Sequence, residues 1–92
     1  MGIRRIRRAI RQGRYEFTIH ALEEMDDDAL LEEELREVVL RGRLVSELTD
    51  DPRGTRFVVQ GMPKNRDIQV EVVCRFLPSG LMRIITAYEL EE

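Results

Sequence analysis

The apolar residues of this chain change their spacing once, at Gly42, from a repeat near 3.6 to a repeat of 2. Before that point three stretches read as helices. Ile3, Ile6 and Ile10 lie on one stripe of a helix over Gly2 to Gln12, stopped at Gly13, with arginines on the remaining faces. A second, short helix runs from about Ile19 to Asp27, entered through Thr18 as an N-cap and expected to bury Ala21, Leu22 and Met25. In the third, Leu31, Leu35, Val38 and Val39 form the stripe, acids crowd the first turns, and Arg41 and Gly42 close it, which suits the helix dipole. Beyond Gly42 the alternation predicts four strands: Leu44 to Leu48, Arg56 to Met62, Ile68 to Phe76 and Leu81 to Tyr88. The segments between them are short and rich in Pro, Gly, Asp and Asn, as antiparallel neighbours require. Ile68, Val70, Val72, Cys74 and Phe76 point to one face of the third strand, and Gln69, Glu71, Val73 and Arg75 to the other. The last strand is apolar on both faces, the pattern of a central or doubly covered strand. Helices first and strands after predict an α+β fold of two layers, N-terminal helices on a four-stranded antiparallel meander, with the helices on the Ile68/Val70/Val72 face.

Ninety-two residues provide for one core, so a single domain over 1–92 is expected. No apolar run approaches the roughly 20 residues of a membrane span, and no signal peptide is read, so a cytoplasmic protein without membrane association is expected. Cys74 is the only cysteine and lies in an alternating apolar run; it predicts a buried, inert thiol. The formal net charge of -3 conceals two opposed fields. The first fourteen residues carry six arginines and no acid, and Tyr15 to Glu37 then carries ten acids. Such opposed fields imply contact with nucleic acid on the basic side and with a protein on the acidic side.

The ordered set His20-Ala21-Leu22-Glu23-Glu24-Met25, Asp28, Arg41-Gly42, Asp50-Asp51-Pro52-Arg53-Gly54, Gly61 and Ile84-Ile85-Thr86-Ala87-Tyr88-Glu89 resembles the bacterial family catalogued as domain of unknown function 4258. The resemblance covers about Phe17 to Glu89 and leaves the basic helix, within residues 1–13, outside it. It implies kinship with the RelE and BrnT toxins, small α+β domains with an antiparallel sheet, some of which cleave RNA and are held inactive by an antitoxin. Many sequences of this pattern carry an arginine immediately before the methionine, where this chain has Glu24. That exchange removes a cation on which transition-state stabilisation would draw.

His20 is the one side chain whose ordinary pKa lies near neutrality, which makes it the candidate general acid or base. With it the candidate catalytic set comprises Arg53, on a loop of the matched motif, and Thr86 and Tyr88, which share one face of the last strand and are expected to point toward the helix layer and His20. Arg56, Arg75 and Arg83 are further sources of positive charge for a phosphorane. The structural alternative is that His20 only buttresses the helix against the sheet. His20, Glu24 and Asp28 are spaced i, i+4, i+8, but Asp26-Asp27-Asp28 reads as the end of the helix, so no metal site and no cofactor is assigned. Arg4, Arg5, Arg8 and Arg11 are the candidate nucleic-acid contacts; three isoleucines and an alanine give the helix too little apolar area for a membrane, and the aromatics sit in core pattern rather than on a stacking platform. The expected partners are RNA, an antitoxin-like protein or a second copy of the chain, whose basic helix would meet the acidic run. Binding to RNA or protein is the leading function; a His20-dependent endoribonuclease and a structural homodimer are the alternatives.

Overall fold

The computed structural model describes residues 2–91. Helix α1 (Gly2–Gln12) leads into strand β1 (Tyr15–Phe17), helices α2 (Ile19–Asp27) and α3 (Glu32–Arg41), and strands β2 (Arg43–Leu48), β3 (Arg56–Gly61), β4 (Val70–Phe76) and β5 (Met82–Glu89). The α+β class and the antiparallel run of β2 to β5 match expectation. The sheet itself has five strands in the order β1-β5-β4-β3-β2 and is mixed, because β1 pairs parallel with β5 through Tyr15/Met82, Glu16/Arg83 and Phe17/Ile84. A four-stranded purely antiparallel sheet is therefore corrected. Three residues are too few to display a period, and their partners lie far along the chain, so nothing local marks β1 as a strand.

The helices begin and end for the reasons their sequences imply. Thr18 Oγ1 accepts from the Ala21 N–H at 3.1 Å, capping α2, and donates to the Ile85 carbonyl at 3.0 Å, tying that cap to β5. Gly13, after α1, has φ of 68° and turns the chain into β1. At α3 the side chain of Glu34 reaches back to accept the Leu31 N–H at 3.0 Å.

One apolar cluster joins the layers: Ile6 and Ile10 from α1, Ala21 and Met25 from α2, Leu35, Val38 and Val39 from α3, and Val59, Val70, Val72, Cys74, Met82, Ile84 and Ala87 from the sheet. All these strand residues lie on one sheet face, as expected for β4. Two stripe residues are exposed instead, Leu22 by half and Leu31 at 65%. Leu31 occupies the N-cap of α3, outside its helical stripe, and Leu30 is buried in its place. Cys74 is fully buried, and burial pushes its thiol up to about 12, so the thiolate is not populated near neutral pH.

The expected faces of β5 are also corrected. Val73 is opposite Thr86 and Cys74 is opposite Ile84, so Ile85 is an extra residue at a β-bulge. Ala87 consequently joins Met82 and Ile84 on the core face, while Thr86 and Tyr88 join Arg83 on the face without helices.

Candidate nucleic-acid interface

Arg4, Arg5, Arg8, Arg11 and Arg14 are exposed, because burying Ile6, Ala9 and Ile10 turns the arginine faces of α1 outward. None of the five forms an ion pair among the described residues. Arg5 lies over the Phe76 ring, its guanidinium carbon 3.7 Å from the ring centroid. Together with Arg8, Gln12, Arg14 and Gly80 these two residues line a cleft of about 260 Å³ between α1 and the β4–β5 turn.

Three other arginines are committed to holding backbone. Arg7 donates to the Gly42 carbonyl at 2.8 Å, and Arg36 to the Ile10 carbonyl at 2.8 Å and the Tyr15 hydroxyl at 3.1 Å. Arg66 donates to the Ala29 carbonyl at 2.9 Å and to Glu34 at 3.1 Å. The Tyr15 hydroxyl, donating to Glu32, is raised above its ordinary pKa, first by burial and then by that carboxylate.

On the opposite sheet face a second set of arginines lies in one row. Register places Leu48 across from Arg56, Arg75 across from Arg83, and Arg83 across from Glu16. Phe57 is opposite Cys74, so the residues one step on, Arg56 and Arg75, also face each other. Arg83 donates to Glu16 at 2.7 Å, and Arg56 lies 3.5 Å from Asp50 and 3.6 Å from Asp51. This row is at the same end of the sheet as the β4–β5 turn and the α1 cleft.

The four candidate catalytic residues are not joined by any hydrogen bond or ion pair among the described residues. His20 is 66% exposed, and its Nε2 lies 3.4 Å from Glu24. Arg53 is folded back on Asp51, with its Nε and Nη2 each 3.2 Å from a carboxylate oxygen, which holds Asp51 down at about 2. Tyr88 donates to Glu71 at 2.5 Å, and that carboxylate, with burial, pushes the phenol up to about 12. Neutral and already engaged, Tyr88 is a poor proton donor at pH 7. Thr86 and Tyr88 share a face, as expected, but the bulge at Ile85 turns it away from the helix layer.

Sequence reasoning missed the role of the α2 acids. Beyond the end of β1 the outer edge of β5 is bare, and α2 lies along it. Glu24 accepts the Ala87 N–H at 3.1 Å and Asp28 accepts the Glu89 N–H at 2.7 Å. Four residues of helix rise about 6 Å and two residues of strand about 6.6 Å, so carboxylates at i, i+4 match alternate amides of an open edge. The signal was the Glu24/Asp28 spacing read beside a strand with no second neighbour. Among the described residues no group of three or more His, Cys, Asp or Glu is arranged to hold a metal, and no helix is long and apolar enough to cross a membrane.

A family model described as Domain of unknown function (DUF4258) matches residues 17–89. No curated protein and no solved structure matches the chain.

Proposed function

This chain belongs to the DUF4258 family, and we propose that it works by binding RNA through the phosphates, at the end of the sheet where α1 meets the β4–β5 turn. The observation carrying the reading is that Arg5, Arg8 and Arg14 converge on one cleft while forming no ion pair among the described residues. Guanidinium groups suit phosphate oxygens because their fixed forks donate two parallel hydrogen bonds. Phe57 and Phe76 are occupied in edge-to-face packing with each other, so recognition rests on backbone charge rather than base stacking. The RelE/BrnT-like placement belongs to the same proposal, supported by an antiparallel β2–β5 meander with helices on one face.

Binding to a single-stranded oligoribonucleotide is expected to weaken steeply with salt, with a log–log slope of about -2 for three contacts at about 0.7 each. Arg5→Ala with Arg8→Ala lowers affinity by about tenfold or more at low salt and flattens the slope by about 1.4. Fluorescence anisotropy measures both; a slope near zero in the parent chain refutes the reading. Catalysis through His20 has less support, since His20 is solvated and, among the described residues, paired with Glu24 alone. Any RNA cleavage by the purified protein is therefore expected to survive His20→Ala, measured with an end-labelled substrate.

A second reading draws on the outer stripe of α2. Ile19, Leu22, Glu23 and Asp26 are all exposed at i, i+3, i+4 and i+7, so one helix face presents two apolar side chains beside two acids. That face suits a protein partner with a basic-apolar surface, whether antitoxin-like or a second copy.

A further inference from the structure

Arg75 is the one buried charged residue of the chain's described part, 8% exposed, and it makes no side-chain hydrogen bond or ion pair among the described residues. Its stem is covered while its guanidinium nitrogens still meet water, and its place between two more guanidinium groups leaves like-charge repulsion uncompensated. Such an arrangement is disfavoured in the free protein and becomes favourable once an anion enters. Arg83 is balanced by Glu16, and Arg56 lies close to Asp50 and Asp51, so the charge without a counterpart is that of Arg75.

A second, independent observation points to the same place. The buried Thr86 Oγ1, on this sheet face, has no hydrogen-bond partner among the described residues, whereas the buried Arg56 Nε faces the Asp51 carboxylate at 3.6 Å. Thr86 lies in the row next to the arginines because the bulge at Ile85 turns it to this side. Bulges that re-aim a side chain are frequent beside functional sites. Arg56 and Arg83, each about one-third exposed, bracket Arg75 and leave it approachable from solvent.

We propose that the helix-free face of the sheet holds a phosphoryl oxyanion, received by Arg75 between Arg56 and Arg83, with the Thr86 hydroxyl as a further donor. A phosphodiester fits the charge balance, bringing one negative charge and two non-bridging oxygens to one uncompensated guanidinium. This deepens the RNA reading: the row lies at the same end of the sheet as the α1 cleft, so one strand passing around the β4–β5 turn meets both. Free phosphate offers the same chemistry, and the test separates the two sources.

The full-length protein is melted in inorganic phosphate, in a short oligoribonucleotide, and in chloride of matched ionic strength. Saturating phosphate is expected to raise Tm by about 4 °C or more over chloride. Arg75→Met abolishes the rise, and its Tm in chloride is no lower than that of the parent. Thr86→Val, which keeps the side-chain shape, weakens phosphate binding about fivefold or more. Arg5→Ala/Arg8→Ala retains the phosphate response while losing RNA affinity. If the oligoribonucleotide raises Tm and Arg75→Met removes that effect too, the phosphodiester is the ligand; if only free phosphate acts, the site stands and the RNA source fails. No Tm rise in the parent with either probe, or a full rise retained in both Arg75→Met and Thr86→Val, overturns the proposal.

Discussion

Glu24 serves two neighbours of unequal weight. One carboxylate oxygen accepts the Ala87 N–H, and the other lies 3.4 Å from an imidazole that is mostly in solvent. Leaving a part-buried amide without an acceptor costs about 1–3 kcal/mol, whereas an exposed ion pair contributes about 1 kcal/mol or less. Glu24→Ala is thus expected to destabilise by about 1–3 kcal/mol and His20→Ala by less than about 0.5 kcal/mol, with Glu24→Gln intermediate because its amide oxygen still accepts; urea denaturation measures all three. Asp51 sets a pH dependence. Its folded pKa, held at about 2 by Arg53, lies below the ordinary 3.8, so the unfolded chain binds protons first as the solution is acidified. The stability it contributes is complete above the unfolded value and is lost as pH falls from about 4 toward 2. Asp51→Asn should flatten that part of the stability profile, followed by chemical denaturation at successive pH values. Residue identity alone marked Asp50-Asp51-Pro52-Arg53-Gly54 as a turn with Arg53 on its loop; that Arg53 folds back on Asp51 depends on side-chain conformation, which a turn motif leaves open.

Elements in this protein meet through close backbone approaches. At the α3–β2 junction a Cβ added to Gly61 would fall 2.6 Å from the Val38 carbonyl oxygen and 2.8 Å from the Gly42 Cα, neither of which can move without shifting α3 against β3. Gly61→Ala is expected to lower stability by about 1–3 kcal/mol, read from the midpoint of thermal or urea unfolding. Gly61 was legible as part of a motif but not as a contact, because its neighbours come from two other elements. The α1 and α2 boundaries were legible, since a stripe, a cap residue and a terminal glycine are local signals. The bulge at Ile85 was not. Strict alternation from Leu81 onward puts Ala87 opposite in facing to Ile84, and only pairing with β4 reveals the extra residue.

The whole molecule is joined more tightly to its first helix than the family match implies. That match begins at residue 17, yet Ile6 and Ile10 of α1 are fully buried in the common cluster, and α1 runs directly into β1. Ile6→Ala is expected to cost about 2–5 kcal/mol, and removal of residues 1–14 to abolish cooperative unfolding of the remainder, seen by circular dichroism. The exposed arginines of α1, Arg4, Arg5, Arg8 and Arg11, can be neutralised without that penalty because their side chains lie outside the cluster, which keeps variants of the proposed RNA contacts interpretable.

Residue types and their spacing by themselves determined the helix and strand classes, the β2–β5 meander, the core stripe of β4 and the segregation of charge, because each follows from local geometry and from which side chains avoid water. Only the tertiary structure decided the parallel β1, the face on which Thr86 and Tyr88 emerge, the use of Glu24 and Asp28 as acceptors for a strand edge, and the alignment of Arg56, Arg75 and Arg83. Those features depend on register between segments far apart in the chain, and a single inserted residue reverses the outcome for every side chain beyond it.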